Sequence, residues 1–220
     1  MPLPEGEGKV WYGIAWYINS AANEMERAMN STAGPERMGL IEPEKMTDAQ
    51  KKVAADIASG PRGSVRGPFN VLLRSPGLAG PVQQVGEYLR FKCPLDKRII
   101  ELSAIMAARA WTQQYEWFAH SVHAVNAGVK PEIVEAIAEG RRPQGMAQDE
   151  ELVYDYVTEL LATKGVSDKT YQRTTAKFGE SGVVDITGIV GYYSLLAMQM
   201  NVARTPIPDG KPLPLPRFPL

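Results

Sequence analysis

Acidic, amide and imidazole side chains recur at helical spacing in residues 112–128, a stretch that contains both histidines of the chain. At about 100° per residue, one helix face carries Gln113, Glu116, His120 and His123. A histidine beside a carboxylate suits acid–base catalysis, because imidazole changes charge near neutral pH and the carboxylate fixes its tautomer and raises its pKa. The stretch predicts His120 as a proton donor that Glu116 orients.

A second acid interrupts the preceding apolar stretch, residues 95–110, which also predicts a helix with Glu101 inside it. Almost no loop separates the two helices, so they must fold back as a hairpin that can bring Glu101 toward Glu116 and His120. Glu101 is expected to orient His120 or, if desolvated and protonated, to donate a hydrogen bond itself. A purely structural network of the same side chains is the main alternative, and a metal site is a weaker one.

The helix over 112–128 is predicted to begin at an N-cap, Thr112, and to end at Gly128. Its large apolar residues leave no cleanly apolar face opposite the polar one. This helix is therefore expected to be buried nearly all round.

Several segments resemble the carboxymuconolactone decarboxylase family, whose fold is shared with alkylhydroperoxidase D (AhpD). They are EL-SAIMAAR-AWTQ-QYEW-FAH, PEIVEAI, GPFNVLLRSPGLA at 67–79 and IVGYYSLLAMQMN at 189–201, and the likeness runs from about Leu40 to Pro208. The resemblance implies an all-α, AhpD-like helical bundle with a central helical hairpin at about 95–128. It also implies a homo-oligomer, a trimer or a hexamer, and places catalytic residues at Glu101 and His120.

The peroxidase branch of this family has a Glu, then Cys-x-x-Cys, then a His. On this chain the Glu falls at Glu101 and the His at His120, but Gln113 and Glu116 occupy the cysteine positions. Peroxide reduction on this scaffold needs two thiols, and the only cysteine, Cys93, lies outside the motif. The resemblance therefore favours the decarboxylase-like branch, and peroxidase-like activity is disfavoured.

The family's namesake substrate is an unsaturated lactone that carries a carboxylate and serves as its own electron sink. An enzyme must hold that carboxylate near apolar surface, stabilise the growing oxyanion and protonate the α carbon. No metal or organic cofactor is demanded. We expect a cofactor-independent lyase for a small carboxylated lactone or related acid, and a non-catalytic oligomeric binding protein on the same fold is the alternative.

Substrate-binding candidates come from the same helix and from a loop. Residues 60–70 are rich in glycine and proline, and their two arginines, Arg62 and Arg66, are able to grip a carboxylate, although solvated loop arginines are commoner. We expect Gln113, Tyr115 and Arg66 to bind the substrate. His123 is expected to be structural, because nothing in the resemblance marks its position.

The composition indicates one domain that acts on a small molecule. With 220 residues and 44% hydrophobic composition the chain can form one core, and a net charge of -1 without a long basic run favours neither nucleic acid nor a membrane surface as partner. A single cysteine suits a reducing cytoplasm. The very apolar helices carry more apolar surface than one small domain usually buries. This also predicts a homo-oligomer.

Three regions are expected along the chain: an N-terminal extension at 1–39, a helical domain at 40–204 and a Pro-rich strap at 205–220 over its own or a neighbouring subunit. The extension is expected to contain an amphipathic helix rather than a secretion signal, because acidic residues outnumber basic ones before its apolar patch. Residues 183–202 are apolar but interrupted by polar residues and glycines, so a core or subunit-interface helix is favoured over a membrane span.

Overall fold

The computed structural model describes residues 35–207 and 213–215, and within them the chain forms eight α-helices and no β-strand. The helices are α1 (Asp48–Ser59), α2 (Pro68–Leu72), α3 (Pro76–Glu87), α4 (Lys97–Ala110), α5 (Gln114–Asn126), α6 (Pro131–Ala138), α7 (Gln148–Thr163) and α8 (Asp168–Ala203). The predicted all-α fold class is confirmed. Residues 1–34, on which the expected N-terminal helix falls, lie outside the described residues.

Helix α4 is the centre of the bundle, and its residues from Ile99 to Arg109 are all buried. One side of α4 packs through Ile99, Leu102 and Ile105 with α6, α7 and residues 183–190 of α8. The other side packs with α2, α3 and the rest of α8 through Ile100, Ala104 and Ala107. Any polar side chain on α4, including Glu101, is therefore held inside the protein.

Helices α4 and α5 form the predicted hairpin and pack against each other. The expected N-cap is wrong by one residue: Gln113 caps α5, its side chain accepting a hydrogen bond from Glu116 N–H at 2.8 Å. Thr112 instead takes a left-handed conformation with φ 45° in the tight connection. Asn201 of α8 donates to the carbonyl of Trp111 at 2.9 Å and so fixes this turn against the last helix.

The prediction that this second helix is buried nearly all round is also wrong. Its first half buries Glu116, Trp117 and His120, but Val122 is 55% exposed and Val125 is 39% exposed. The residues at the N-terminal end of α5 thus form its interior part. The predicted end at Gly128 is confirmed by its φ of 103° directly after the C-cap.

Side chains also cap other helices of the bundle. Thr47 and Gln50 form a capping box at the start of α1, and the side chain of Ser167 caps α8. Helix α3 ends at Glu87 and passes into a π-helical turn, Tyr88–Lys92. Helix α8 is kinked at Gly179, where φ is 70°.

Helix α8 is the one described helix whose length and composition would allow it to cross a membrane. Its most apolar window is 56% buried against the rest of the chain, and core helices of soluble proteins share these properties. This burial agrees with the expected core helix.

The C-terminal strap contacts its own chain at Leu215. The side-chain amide of Gln114 donates to Leu215 C=O at 3.0 Å and accepts from Leu215 N–H at 2.9 Å, and the Leu215 side chain is buried in the core. Residues 208–212 and 216–220 of this strap lie outside the described residues. The described part of the strap therefore closes over the start of α5.

Candidate active site

Glu101 of α4 and His120 of α5 form a buried pair, with Glu101 Oε2 2.6 Å from His120 Nδ1. Their side chains are 9% and 10% exposed. The hairpin brings them together because α4 is buried all round and α5 turns the face of His120 toward it. Glu101, not Glu116, is thus the carboxylate that contacts His120.

The environments of the two groups set their charge. Burial opposes ionisation of Glu101, but the hydrogen bond and charge of His120 outweigh it, so the pKa of Glu101 lies below its usual value. Burial lowers the pKa of His120 more than Glu101 raises it. The expected rise in the pKa of His120 is therefore corrected: at neutral pH an ionised Glu101 accepts from Nδ1–H of a neutral imidazole.

This tautomer leaves the lone pair of His120 on Nε2. Within the described ranges the side chain of His120 makes no hydrogen bond other than that to Glu101. The edges of the Tyr193 ring, 4.7 Å away between centroids, and the His123 ring, at 5.5 Å, enclose the imidazole. His120 is consequently arranged as a base.

Glu116 lies one turn before His120 and is only 3% exposed. Its Oε2 has no hydrogen-bond partner among the described residues, and burial raises the pKa of Glu116 well above its usual value. Burial therefore favours the protonated carboxyl, and a carboxyl group in that form acts as an acid. The expectation that Glu116 orients His120 is not met, because that position belongs to Glu101.

A cavity of about 370 Å³ lies beside His120 and Glu116. Glu116, His120 and His123 line one side of it, and an apolar part is formed by Phe69, Leu196 and Met200. His123, which was expected to be structural, therefore borders the cavity. The loop before α2, the π-helical turn, α5 and α8 all contribute to its wall.

Three arginines, Arg62, Arg66 and Arg90, give the cavity a cationic side. Arg62 is the most firmly held, because its Nη2 donates to Tyr192 OH at 2.9 Å and its guanidinium lies 4.6 Å from the centroid of the Phe69 ring. Arg66 is exposed and donates from Nε to Ser64 Oγ at 2.5 Å. Positive charge on this wall suits a carboxylate ligand.

Two glycines permit the close packing of this wall. A Cβ at Gly86 would lie 2.1 Å from Tyr192 OH and 2.4 Å from Arg62 Nη2. A Cβ at Gly67, whose φ is 53°, would lie 2.6 Å from the Tyr115 ring. Glycine at these positions therefore allows the arginine loop and the tyrosines to approach each other.

The structure brings five of the six predicted site residues together. Glu116, His120, Tyr115 and Arg66 line the cavity, and Glu101 contacts His120. Gln113 does not line it, because its side chain accepts from Glu116 N–H and donates to Asn201. Sequence reasoning missed Arg90, Tyr192 and Tyr193, and the adjacent tyrosines in the apolar segment 183–202 were the one available signal.

Cys93 is half-buried and does not line the cavity. Burial raises the pKa of its thiol, with a further contribution from Asp185, so the reactive thiolate is disfavoured. Among the described residues no group of three or more His, Cys, Asp or Glu side chains is placed to hold a metal ion.

No family model matches the sequence, and no curated protein matches it. Several solved structures have a similar fold. A peroxidase-related protein with an alkylhydroperoxidase AhpD core from Ralstonia eutropha has a TM-score of 0.65 at 17% identity, covering 80% of this chain and 94% of its own.

Two further solved structures are similar. A protein of unknown function from Agrobacterium tumefaciens, associated by name with the antioxidant defence protein AhpD, has a TM-score of 0.57 at 17% identity over 65% of this chain and 99% of its own. A peroxidase-related protein from Silicibacter has a TM-score of 0.58 at 14% identity over 77% and 90%. The chain therefore has the all-α fold of the AhpD-like proteins.

Proposed function

We propose that the protein is a cofactor-independent lyase that removes carbon dioxide from a small carboxylated lactone or a related carboxylic acid. The observation that carries this proposal is the pairing of a neutral base with a neutral acid at one cavity. His120 is held by Glu101, Glu116 Oε2 is buried with no hydrogen-bond partner among the described residues, and three arginines line the same cavity. Titratable groups whose environments drive their pKa values apart are typical of acid–base sites.

The reaction can proceed with the groups present. The C–C bond to the departing carboxylate breaks, its electron pair moves through the C=C bond into the conjugated carbonyl, and carbon dioxide leaves. Glu116 then gives its proton to the α carbon, and His120 Nε2 takes a proton from water and returns it to Glu116, so the overall reaction consumes one proton. Glu116 is better suited than His120 to this donation, because the lone pair of His120 Nε2 accepts protons rather than supplying them.

A neutral His120 also fits the leaving carboxylate. An imidazolium would stabilise the negative carboxylate of the ground state, whereas carbon dioxide is neutral, so a charged His120 would slow the reaction. Glu101 is a positioning residue in this scheme, because it acts through His120. The apolar side at Phe69, Leu196 and Met200 gives the departing group a poorly solvated environment.

The arginines are assigned to recognition. Arg62, fixed by Tyr192 and Phe69, is placed to bind a carboxylate that the substrate retains after the reaction. A cavity of about 370 Å³ is large enough for a compact ligand of this kind. These features support a small, oxygen-rich acid as the substrate class.

Peroxidase-like activity is the second candidate, because the solved structures of this fold include peroxidase-related proteins. The chain has one cysteine, and its thiol is away from the cavity with a raised pKa. A two-thiol cycle would require a second cysteine from another molecule. The acid–base proposal is therefore the better supported of the two.

The deciding experiment is a carbon dioxide release screen of purified protein with unsaturated lactone carboxylates and β-keto acids. The same preparations are tested for hydroperoxide consumption with a dithiol reductant. We expect the wild-type protein to release carbon dioxide from at least one acid. Glu116→Gln should abolish this release, and Cys93→Ser should retain it. Hydroperoxide consumption that depends on Cys93, without carbon dioxide release, would replace it by the peroxidase candidate.

A further inference from the structure

Three buried polar atoms that belong to residues lining the cavity have no hydrogen-bond partner in the part of the chain that the structure describes. They are Arg62 Nε, Glu116 Oε2 and Tyr193 OH. Burying a polar atom without a partner costs about 1–3 kcal/mol, so a folded chain rarely keeps several at one place. A ligand bound in this cavity can supply the missing partners, because all three atoms belong to residues that line it.

All three groups are donors when Glu116 holds its proton, the state that burial favours. A guanidinium Nε–H donates, a protonated carboxyl donates, and a tyrosine hydroxyl whose pKa is raised well above its usual value by burial keeps its hydrogen. A ligand that satisfies them must therefore present oxygen acceptors. This requirement fits a substrate that carries both a carboxylate and a carbonyl oxygen.

Tyr193 has a distinct place among these donors. It lies on α8, is 1% exposed, and the face-to-edge contact of its ring with His120 holds it against the acid–base pair. The neighbouring Tyr192 hydroxyl is already engaged with Arg62 at 2.9 Å. Tyr193 thus carries a neutral donor that no other described residue uses.

We propose that Tyr193 is a further catalytic residue, whose hydroxyl donates a hydrogen bond to the carbonyl oxygen that becomes negative as carbon dioxide leaves. The inference rests on the proposed function, since that reaction creates the oxyanion. Tyr193 keeps its proton throughout, and the negative charge disappears when Glu116 protonates the α carbon. Because the hydrogen bond to an oxyanion is stronger than that to a neutral carbonyl, this contact favours the transition state over the ground state.

The first test is Tyr193→Phe in the full-length protein, with Tyr156→Phe as the matched control. Tyr156 is also buried, but its hydroxyl has a partner, Thr187 Oγ1, at 2.8 Å. Tyr193→Phe is expected to lower kcat by about 10²-fold with little change in KM, the size found when one oxyanion donor is removed. Its melting temperature should be unchanged or higher, because no hydrogen bond within the protein is lost.

Tyr156→Phe is expected to do the opposite, lowering the melting temperature and leaving kcat unchanged. A purely structural Tyr193 would instead destabilise the protein on substitution and leave the ratio of kcat to KM unaltered once the protein is folded. That result would overturn the proposal.

The second test does not depend on turnover and uses 5-hydroxy-2-nitrobenzoate, which carries a carboxylate and a phenol whose ionised form is yellow. A site that stabilises an oxyanion binds the phenolate in preference to the phenol, so the wild-type protein should lower the apparent pKa of the bound phenol. In Tyr193→Phe this preference should fall about tenfold, corresponding to about 1.4 kcal/mol. Tyr156→Phe should match the wild type.

The two proposals can fail separately. Loss of the phenolate preference in Tyr193→Phe, without carbon dioxide release from any acid by the wild type, would keep the oxyanion site and reject the decarboxylase. A wild-type protein that does not favour the phenolate, or a Tyr193→Phe variant that favours it equally, would reject the role of Tyr193 whatever the protein's reaction.

Discussion

Glu101 and Glu116 are both buried on adjacent helices of one hairpin, yet their pKa values are displaced in opposite directions. The imidazole of His120, 2.6 Å from Glu101, favours the ionised state of Glu101. Glu116 Oε2 has no hydrogen-bond partner in the described part of the chain, and burial favours the protonated state of Glu116. The difference comes from contacts across the hairpin rather than from burial, which both share. It gives the site one carboxylate and one carboxylic acid at the same pH.

Replacing Glu116 with Gln tests the protonated state through stability. The pKa of Glu116 is raised above 4.5 in the folded chain, so the unfolded chain ionises first and wild-type stability falls as pH rises from about that value. Glu116→Gln lacks this cost and should melt at a higher temperature than wild type at neutral pH. The difference should vanish near pH 4, and turnover should fall by about 10²-fold.

Glu150→Gln is the matched control for that experiment. Glu150 is equally buried, but its carboxylate lies 3.0 Å from Arg98 and accepts from Ala147 N–H at 2.7 Å. Its replacement should lower the melting temperature at neutral pH without affecting turnover. Should Glu116→Gln destabilise the protein in the same way, Glu116 would be an ionised, paired residue and not the acid of the site.

Much of this hairpin could be predicted from the sequence, because helical spacing and the short connection bring Glu101 close to His120. The charge states could not, since they depend on how completely α8 and the core desolvate each group. Spacing placed Glu116 and His120 one turn apart, but the shorter contact is made across helices. Local pattern likewise favoured Thr112 as a cap, whereas Asn201, far along the chain, fixes the turn at Trp111.

The cationic wall illustrates a second limit. Arg62 and Arg66 are visible in the sequence as a pair in one loop. Arg62 is held more firmly than Arg66 because Tyr192 of α8 and Phe69 of α2 contact it. Arg90 reaches the cavity because α3 passes into a π-helical turn, and no residue in that segment signals this change. Long-range packing, not composition, thus selects the functional arginine.

A double-mutant cycle over Glu101 and His120 separates scaffolding from catalysis. His120→Gln leaves a buried carboxylate without its imidazole and should cost roughly 3 kcal/mol of stability, with turnover reduced by about 10²-fold or more. Adding Glu101→Gln removes the stranded charge, so the double variant should regain part of the stability but none of the turnover. Recovery of activity together with stability would show that the pair only supports the fold.

The Glu101–His120 pair also makes the stability of the wild-type protein depend on pH. The pKa values of both groups lie below their ordinary values, so the unfolded chain binds protons first as pH falls. Stability from His120 should decline below pH 6.5 and that from Glu101 below pH 4.5, the ordinary values of the two groups. Denaturant unfolding across this range should show a decline that is absent in the double variant, in contrast to the opposing contribution of Glu116.

Self-association is a further expectation that the exposed apolar residues of α8 support. Val184 is 69% exposed, Met198 39% and Val202 57%, and they lie on one face of the helix. We propose that a second copy covers this face, so light scattering of the wild type at micromolar concentration should show an oligomer. Val184→Lys should shift it toward the monomer while leaving helicity unchanged, and a monomeric wild type would contradict the proposal.

The role of Arg62 can be tested by a substitution at Gly86, which lies against its guanidinium. In Gly86→Ala the new Cβ would lie within 2.4 Å of both Tyr192 OH and Arg62 Nη2, so the hydrogen bond between these side chains must give way. If Arg62 binds a carboxylate that is unchanged in the reaction, KM should rise about tenfold, equivalent to about 1.4 kcal/mol, while kcat changes little. Steady-state kinetics with the acid identified by the carbon dioxide screen measures both.

Gly80→Ala on the same helix is the control, because a Cβ there meets nothing within 4 Å. That substitution should leave KM unaltered and add up to about 1 kcal/mol of stability, the helix propensity difference between Gly and Ala. Arg62→Gln should reproduce the KM effect of Gly86→Ala with little loss of stability. An unchanged KM in Arg62→Gln would remove Arg62 from substrate binding, since it is then held by Tyr192 and Phe69 for packing alone.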